Sequence, residues 1–96
     1  KEIFWHENGL KKMQSNYLNG VENGLWQQWY KNGQLKLSVN YSNGKANGLW
    51  QQWYETGQRK IKVRFISGVK NGDESYWNKD GSIRFNDIYI NGKVKK

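Results

Sequence analysis

The chain contains one histidine, His6, and no cysteine. A catalytic base needs a nucleophile and an orienting group beside it, and the sequence gives His6 neither at a recognisable spacing. The acids Glu7, Glu22, Glu55, Asp73 and Asp80 lie near turn signals. They read as solvated turn residues, and no two are set at a spacing for general acid–base work. Without cysteine there are no disulfides and no thiolate metal sites, and no His/Asp/Glu cluster has metal-ligand spacing. The expectation is a chain with no catalytic residue, no metal and no cofactor. The distinctive side chains are six Trp, six Tyr and three Phe, set among 16 Lys plus Arg and 8 Asp plus Glu, for a net charge of +8. Exposed aromatic rings and cations are the usual material of binding surfaces.

Those side chains must be held by a small scaffold. At 96 residues the chain makes one domain. Its hydrophobic fraction is 35% and its mean hydropathy is −1.06. Low hydrophobicity with high net charge ordinarily indicates disorder. The 16% aromatic content argues for a fold with a limited, largely aromatic core. No apolar run is long enough to span a membrane. Position 1 is Lys, so the native start is expected to lie upstream.

Repetition organises the chain. Gly-Leu-Trp-Gln-Gln-Trp-Tyr occurs at Gly24–Tyr30 and again at Gly48–Tyr54, an offset of 24 residues. In that frame the chain divides into units 1–24, 25–48, 49–72 and 73–96 of a single domain, 1–96. The columns Trp5/Trp29/Trp53/Trp77, Gly9/Gly33/Gly57/Gly81 and Gly20/Gly44/Gly68/Gly92 persist through all four units. So do the aromatic column Tyr17/Tyr41/Phe65/Tyr89 and the basic column Lys12/Lys36/Lys60/Arg84.

Turn signals such as Lys31-Asn32-Gly33 and Ser42-Asn43-Gly44 separate runs of aromatic and β-branched residues. No helical stripe is present. Each unit is therefore expected to form a β-hairpin, giving about eight antiparallel strands. Thr56 before Gly57 suits a two-residue type I′ turn poorly, because it is β-branched. A three-residue loop closed by a glycine bulge is expected at both turns of every unit. That register places Leu25, Gln27, Trp29, Leu37, Val39 and Tyr41 on one core face, continued by Trp53, Val63 and Phe65. It places Trp26, Gln28, Tyr30, Lys36, Trp50, Tyr54, Lys60 and Lys62 on the other.

Two aromatic sets are then distinguished. Trp5, Trp29, Trp53 and Trp77, with Tyr17, Tyr41, Phe65 and Tyr89, are expected to be structural core, in preference to a ligand-stacking ladder. Trp26 and Trp50, beside Tyr30 and Tyr54 and with Lys36, Lys60 and Lys62, either stiffen the surface or form a binding face. The register sets Lys12 across from Trp26 and Lys36 across from Trp50, within reach of cation–π contact. The positive charge suits solvation first, an acidic protein or anionic lipid second, and nucleic acid last, since no nucleic-acid motif is present.

The segment Tyr17-Leu18-Asn19-Gly20-Val21-Glu22-Asn23-Gly24-Leu25-Trp26-Gln27-Gln28-Trp29-Tyr30-Lys31-Asn32-Gly33 resembles the bacterial variant of the MORN repeat (membrane occupation and recognition nexus). The likeness runs through all four units and is looser at the ends. Lys1 and Glu2 stand where the central units have Leu and Trp, Asp73 and Glu74 do the same in the last unit, and Lys96 replaces a Gly. The resemblance implies an all-β, elongated, twisted single-layer antiparallel sheet of consecutive hairpins. It implies non-catalytic protein binding or scaffolding, antitoxin- or immunity-like in some bacterial members, with association with an anionic membrane surface as the alternative. The compartment is either the bacterial cytoplasm or, if a leader is removed, the envelope or exterior. Charged residues Glu2, Asp73, Asp87 and Lys95–Lys96 suit the polar ends of such an array. A single layer leaves a face without cover, so a homodimer or another protein partner is expected.

Overall fold

The computed structural model describes residues 1–95; the expected charged terminus Lys95–Lys96 extends past them, Lys96 lying outside the described residues. The chain is all β. Its strands are β1 (Glu2–Trp5), β2 (Lys11–Ser15), β3 (Tyr17–Leu18), β4 (Val21–Glu22), β5 (Gly24–Trp29), β6 (Leu35–Ser42), β7 (Lys45–Trp53), β8 (Arg59–Ile66), β9 (Val69–Trp77), β10 (Ile83–Ile90) and β11 (Lys93–Val94). Nine of them form one open antiparallel sheet in chain order, with β3 and β4 pairing as a small separate hairpin. The sheet exceeds the eight expected strands because the turn at Asn91-Gly92 starts β11. The molecule is a slab of 47 × 39 × 9 Å, one sheet thick.

Each hairpin uses two different turns. At the Lys31–Gly33 loop only Gly33 has positive φ, and the Gly33 N–H donates to the Tyr30 carbonyl at 3.0 Å. This is the expected three-residue loop. The other turn differs. Asn43 (φ 50) and Gly44 (φ 79) are both left-handed between the paired residues Ser42 and Lys45. That is a two-residue type I′ turn, which suits Asn-Gly because both residues tolerate positive φ. It recurs at Asn19-Gly20, Ser67-Gly68 and Asn91-Gly92.

The expected division of faces is corrected by a bulge. Gln28 pairs with Leu37 and Trp29 with Leu35, so Lys36 is an extra residue. Lys60 is extra in the same way between Ile61 and Arg59, as are Lys12 near the start and Arg84 near the end. The basic column is thus the bulge column. One inserted residue shifts the register by one and turns the rest of the strand over. Trp26 consequently pairs with Val39, and Trp50 lies between Val39 and Val63.

The only fully buried apolar side chains among the described residues are Val39 (2% exposed) and Val63 (4%). They alternate with larger neighbours across the strands in the row Trp26–Val39–Trp50–Val63–Glu74. Each valine sits between two larger side chains, so a single layer builds a small core without a second sheet. The expected core column is elsewhere. Trp29, Trp53 and Trp77 are half-buried on the opposite face, and Trp5 is 58% exposed. Tyr17 is also exposed, while Tyr41, Phe65 and Tyr89 are half-buried on the valine face.

Candidate functional site

The valine face carries the rings that strand pairing brings together. Trp26 packs edge-on against Tyr17 at 5.3 Å and Tyr41 at 5.4 Å between centroids. Its indole N–H donates to the Asn16 carbonyl at 3.0 Å, which fixes the ring. Trp50 tilts against Phe65 at 6.2 Å, and Tyr76 meets Phe85 edge-on at 5.6 Å. Such pairs add about 0.5–1.5 kcal/mol beyond the area they bury. An open depression of about 260 Å³ lies between Trp50, Ile61, Phe65, Lys70, Glu74 and Tyr76.

Glu74 occupies the position that Trp26 and Trp50 hold in the preceding units. It is 3% exposed. Lys70 Nζ donates to its carboxylate at 2.8 Å and the Tyr76 hydroxyl donates at 3.1 Å. Burial pushes this carboxyl up, but hydrogen bonds from Lys70 and Tyr76 outweigh burial and hold it below the usual carboxylate range. The Lys70 ammonium is raised chiefly by its hydrogen bond to Glu74. Lys70 Nζ also stands 4.9 Å from the Tyr89 ring centroid. Burial and the hydrogen bond to Glu74 raise the Tyr76 hydroxyl.

Along the edge formed by the three-residue loops, Tyr30 and Tyr54 tie each unit to the next. The Tyr30 hydroxyl donates to the Trp53 carbonyl at 2.6 Å, and Tyr54 to the Trp77 carbonyl at 2.7 Å. Burial raises the Tyr30 hydroxyl. His6 makes the same tie through Nε2 to the Trp29 carbonyl at 2.8 Å, so it is a variant of the tyrosine column. Lys36 and Lys60 stand 5.6 Å from the Tyr30 and Tyr54 ring centroids. The expected pairings of Lys12 with Trp26 and Lys36 with Trp50 do not form among the described residues; the bulge carries Lys36 to Tyr30 instead.

Of the residues expected to bind together, the structure gathers Trp26 and Trp50 on one face and Tyr30, Tyr54, Lys36 and Lys60 along its loop edge. Lys62 is separated from them. It pairs with Gln51 and Ser75 on the opposite face. Sequence reasoning missed the Asn23/Asn47/Asn71 column. These carboxamides accept the backbone N–H of Asn43, Ser67 and Asn91 at 3.0–3.3 Å and lock successive type I′ turns together. The spacing of 24 carried that signal. Among the described residues no three His, Cys, Asp or Glu side chains are grouped as a metal would require. Among the described residues, no helix is long and apolar enough to cross a membrane either.

Two segments match the MORN repeat variant, residues 22–43 and 46–66. They span the two central hairpins, where the bulge, the tyrosine tie and the Trp–Val–Trp row are all present. No curated protein matches the chain significantly. MORN repeats generally serve as binding or scaffold modules and are generally non-enzymatic; they commonly mediate protein or membrane interactions.

Proposed function

We propose that the chain is a single non-catalytic domain of four MORN-type units that binds or scaffolds a protein partner. The contact surface is the valine face around Trp26 and Trp50, extended by Tyr30, Lys36, Tyr54 and Lys60 along the loop edge. The observation that carries this reading is the 9 Å thickness of the sheet. It leaves an ordered row of aromatic rings, fixed by their own contacts, with no second layer over it. Rigid, partly exposed rings are what binding hot spots are made of. A net charge of +8 favours an acidic partner surface; a toxin neutralised by this chain would be one such partner. A second copy covering the same face is the homodimeric form of the reading.

Affinity capture at moderate salt tests it, with wild type and a Trp26→Ala/Trp50→Ala variant shown to be folded by circular dichroism. A protein, or a second copy seen by light scattering, that is held by wild type and lost from the variant supports the proposal. Equal binding of both proteins to anionic vesicles, released by salt, would replace it with a charge-driven membrane module.

A further inference from the structure

The face opposite the valines has a pattern of its own. Trp5, Trp29, Trp53 and Trp77 pair with Lys11, Leu35, Arg59 and Ile83 respectively. They form a row that crosses the strands. Lys11 confirms the face: its ammonium bonds Gln14 at 3.5 Å and stands 5.7 Å from the Trp29 centroid, and Gln14 pairs with Gln27. Arg59 stands 5.8 Å from the Trp77 centroid. Successive tryptophans are two strands apart, about 9.5 Å by the usual strand spacing. Beside them runs a row of polar and charged side chains, Gln27, Ser38, Gln51, Lys62, Ser75 and Asn86, each paired with the next. The cations Lys11, Arg59, Lys62 and Arg64 face a single acid in these strands, Asp73.

The geometry points to a binding surface for a linear β-linked polysaccharide that carries carboxylates. In its extended form such a chain turns alternate sugars over, so its repeat is a disaccharide, comparable in length to the two-strand interval between tryptophans. One apolar sugar face per repeat would lie on each indole, displacing Lys11 from Trp29 and Arg59 from Trp77 toward the carboxylates. The carboxamides of Gln27 and Gln51 and the Ser38 hydroxyl in the adjacent row are donors and acceptors for sugar hydroxyls, Ser75 being buried and bonded by Asn86, and the four cations complement the carboxylates. A single-stranded nucleic acid fits less well. It requires a continuous basic track beside stacked bases, whereas the centre of this face is mainly neutral amide and hydroxyl. The surface is distinct from the valine face and does not depend on the function proposed for it.

The test is a titration of the domain with a hexameric mannuronate oligosaccharide, read by tryptophan fluorescence and calorimetry. Saturable binding is expected. Trp5→Ala and Trp53→Ala should each weaken it roughly tenfold, the scale of a lost stacking contact. Trp50→Ala, on the opposite face, should leave it within about twofold. Gln51→Ala provides a second variant on this face if Trp53→Ala does not fold, and it should also weaken binding. No saturable binding by wild type would overturn the proposal. So would equal losses from Trp5→Ala and Trp50→Ala, or tighter binding of oligothymidine. Cellohexaose bound as tightly as the uronate would overturn the acidic assignment.

Discussion

Val39 and Val63 are small, yet they are the buried apolar centre because Trp26 and Trp50 flank them in the same cross-strand row. Val63→Ala should therefore cost about 2 kcal/mol, toward the low end of large-to-small core changes, as measured by urea denaturation. Glu74 ends the row as a buried carboxylate satisfied by Lys70 and Tyr76. Its folded-state value lies below its unfolded one, so its contribution is present above the ordinary carboxylate range and is lost as pH falls through the folded value. Lys70 is raised, so its contribution is present below the ordinary ammonium value and is lost as pH rises through the folded one. Urea midpoints of wild type should fall on acidification below about pH 4. Glu74→Gln should flatten that acid limb and start from a lower midpoint at neutral pH.

Within each hairpin the decisive element is the bulge. Lys36 and Lys60 are the extra residues that set which side chains reach which face. Deleting Lys60 would close the bulge and leave Ile61 opposite Gln52 and Val63 opposite Trp50, whereas inserting one alanine between Lys62 and Val63 would put the rest of β8 one residue out of step, turning Val63 and Phe65 away from Trp50. The insertion variant should lose cooperative unfolding, whereas the deletion, which keeps the pairing, and Lys60→Ala should retain it. These are distinguished by thermal denaturation followed by circular dichroism. The type I′ turn makes a separate demand. Gly44 has φ 79, and a Cβ there would meet Val21 Cγ1 at 3.1 Å, because consecutive turns stack. Gly44→Ala should cost about 1–2 kcal/mol from the left-handed backbone.

At the scale of the whole molecule, the slab exposes 6457 Å². A compact globule of 11.4 kDa would expose about 5,800 Å². Its Cα radius of gyration is 14.7 Å, against about 12.5 Å for a compact domain of this length. Small-angle scattering should return a radius near that of the slab with a thin-plate profile at low concentration. A value near that of the compact globule would mean that the sheet rolls up in solution. The ties from His6, Tyr30 and Tyr54 each run to the following unit. Stability is thereby distributed as a chain of neighbour contacts, and Tyr54→Phe should loosen one junction by about 1 kcal/mol in urea denaturation.

The all-β hairpin array was legible in the sequence. Spacing at 24 residues, Asn-Gly and Lys-Asn-Gly turn signals and the lack of a helical stripe are local features, and local features define strands and turns. His6, Tyr30 and Tyr54 stand 24 residues apart, so their column follows the same period. The faces were not. Lys12, Lys36, Lys60 and Arg84 repeat in sequence as plainly as the tryptophans do, but nothing in a lysine marks it as a bulge; that depends on how two strands pair. Side chains alternate with period two, so one unpaired residue exchanged the expected faces. It carried Trp26 and Trp50 onto the valines, left Trp29, Trp53 and Trp77 on the opposite side, and separated Lys62 from the residues it was expected to join. Composition and period determined the repeat; only cross-strand register, a tertiary property, decided which aromatic rings share a surface.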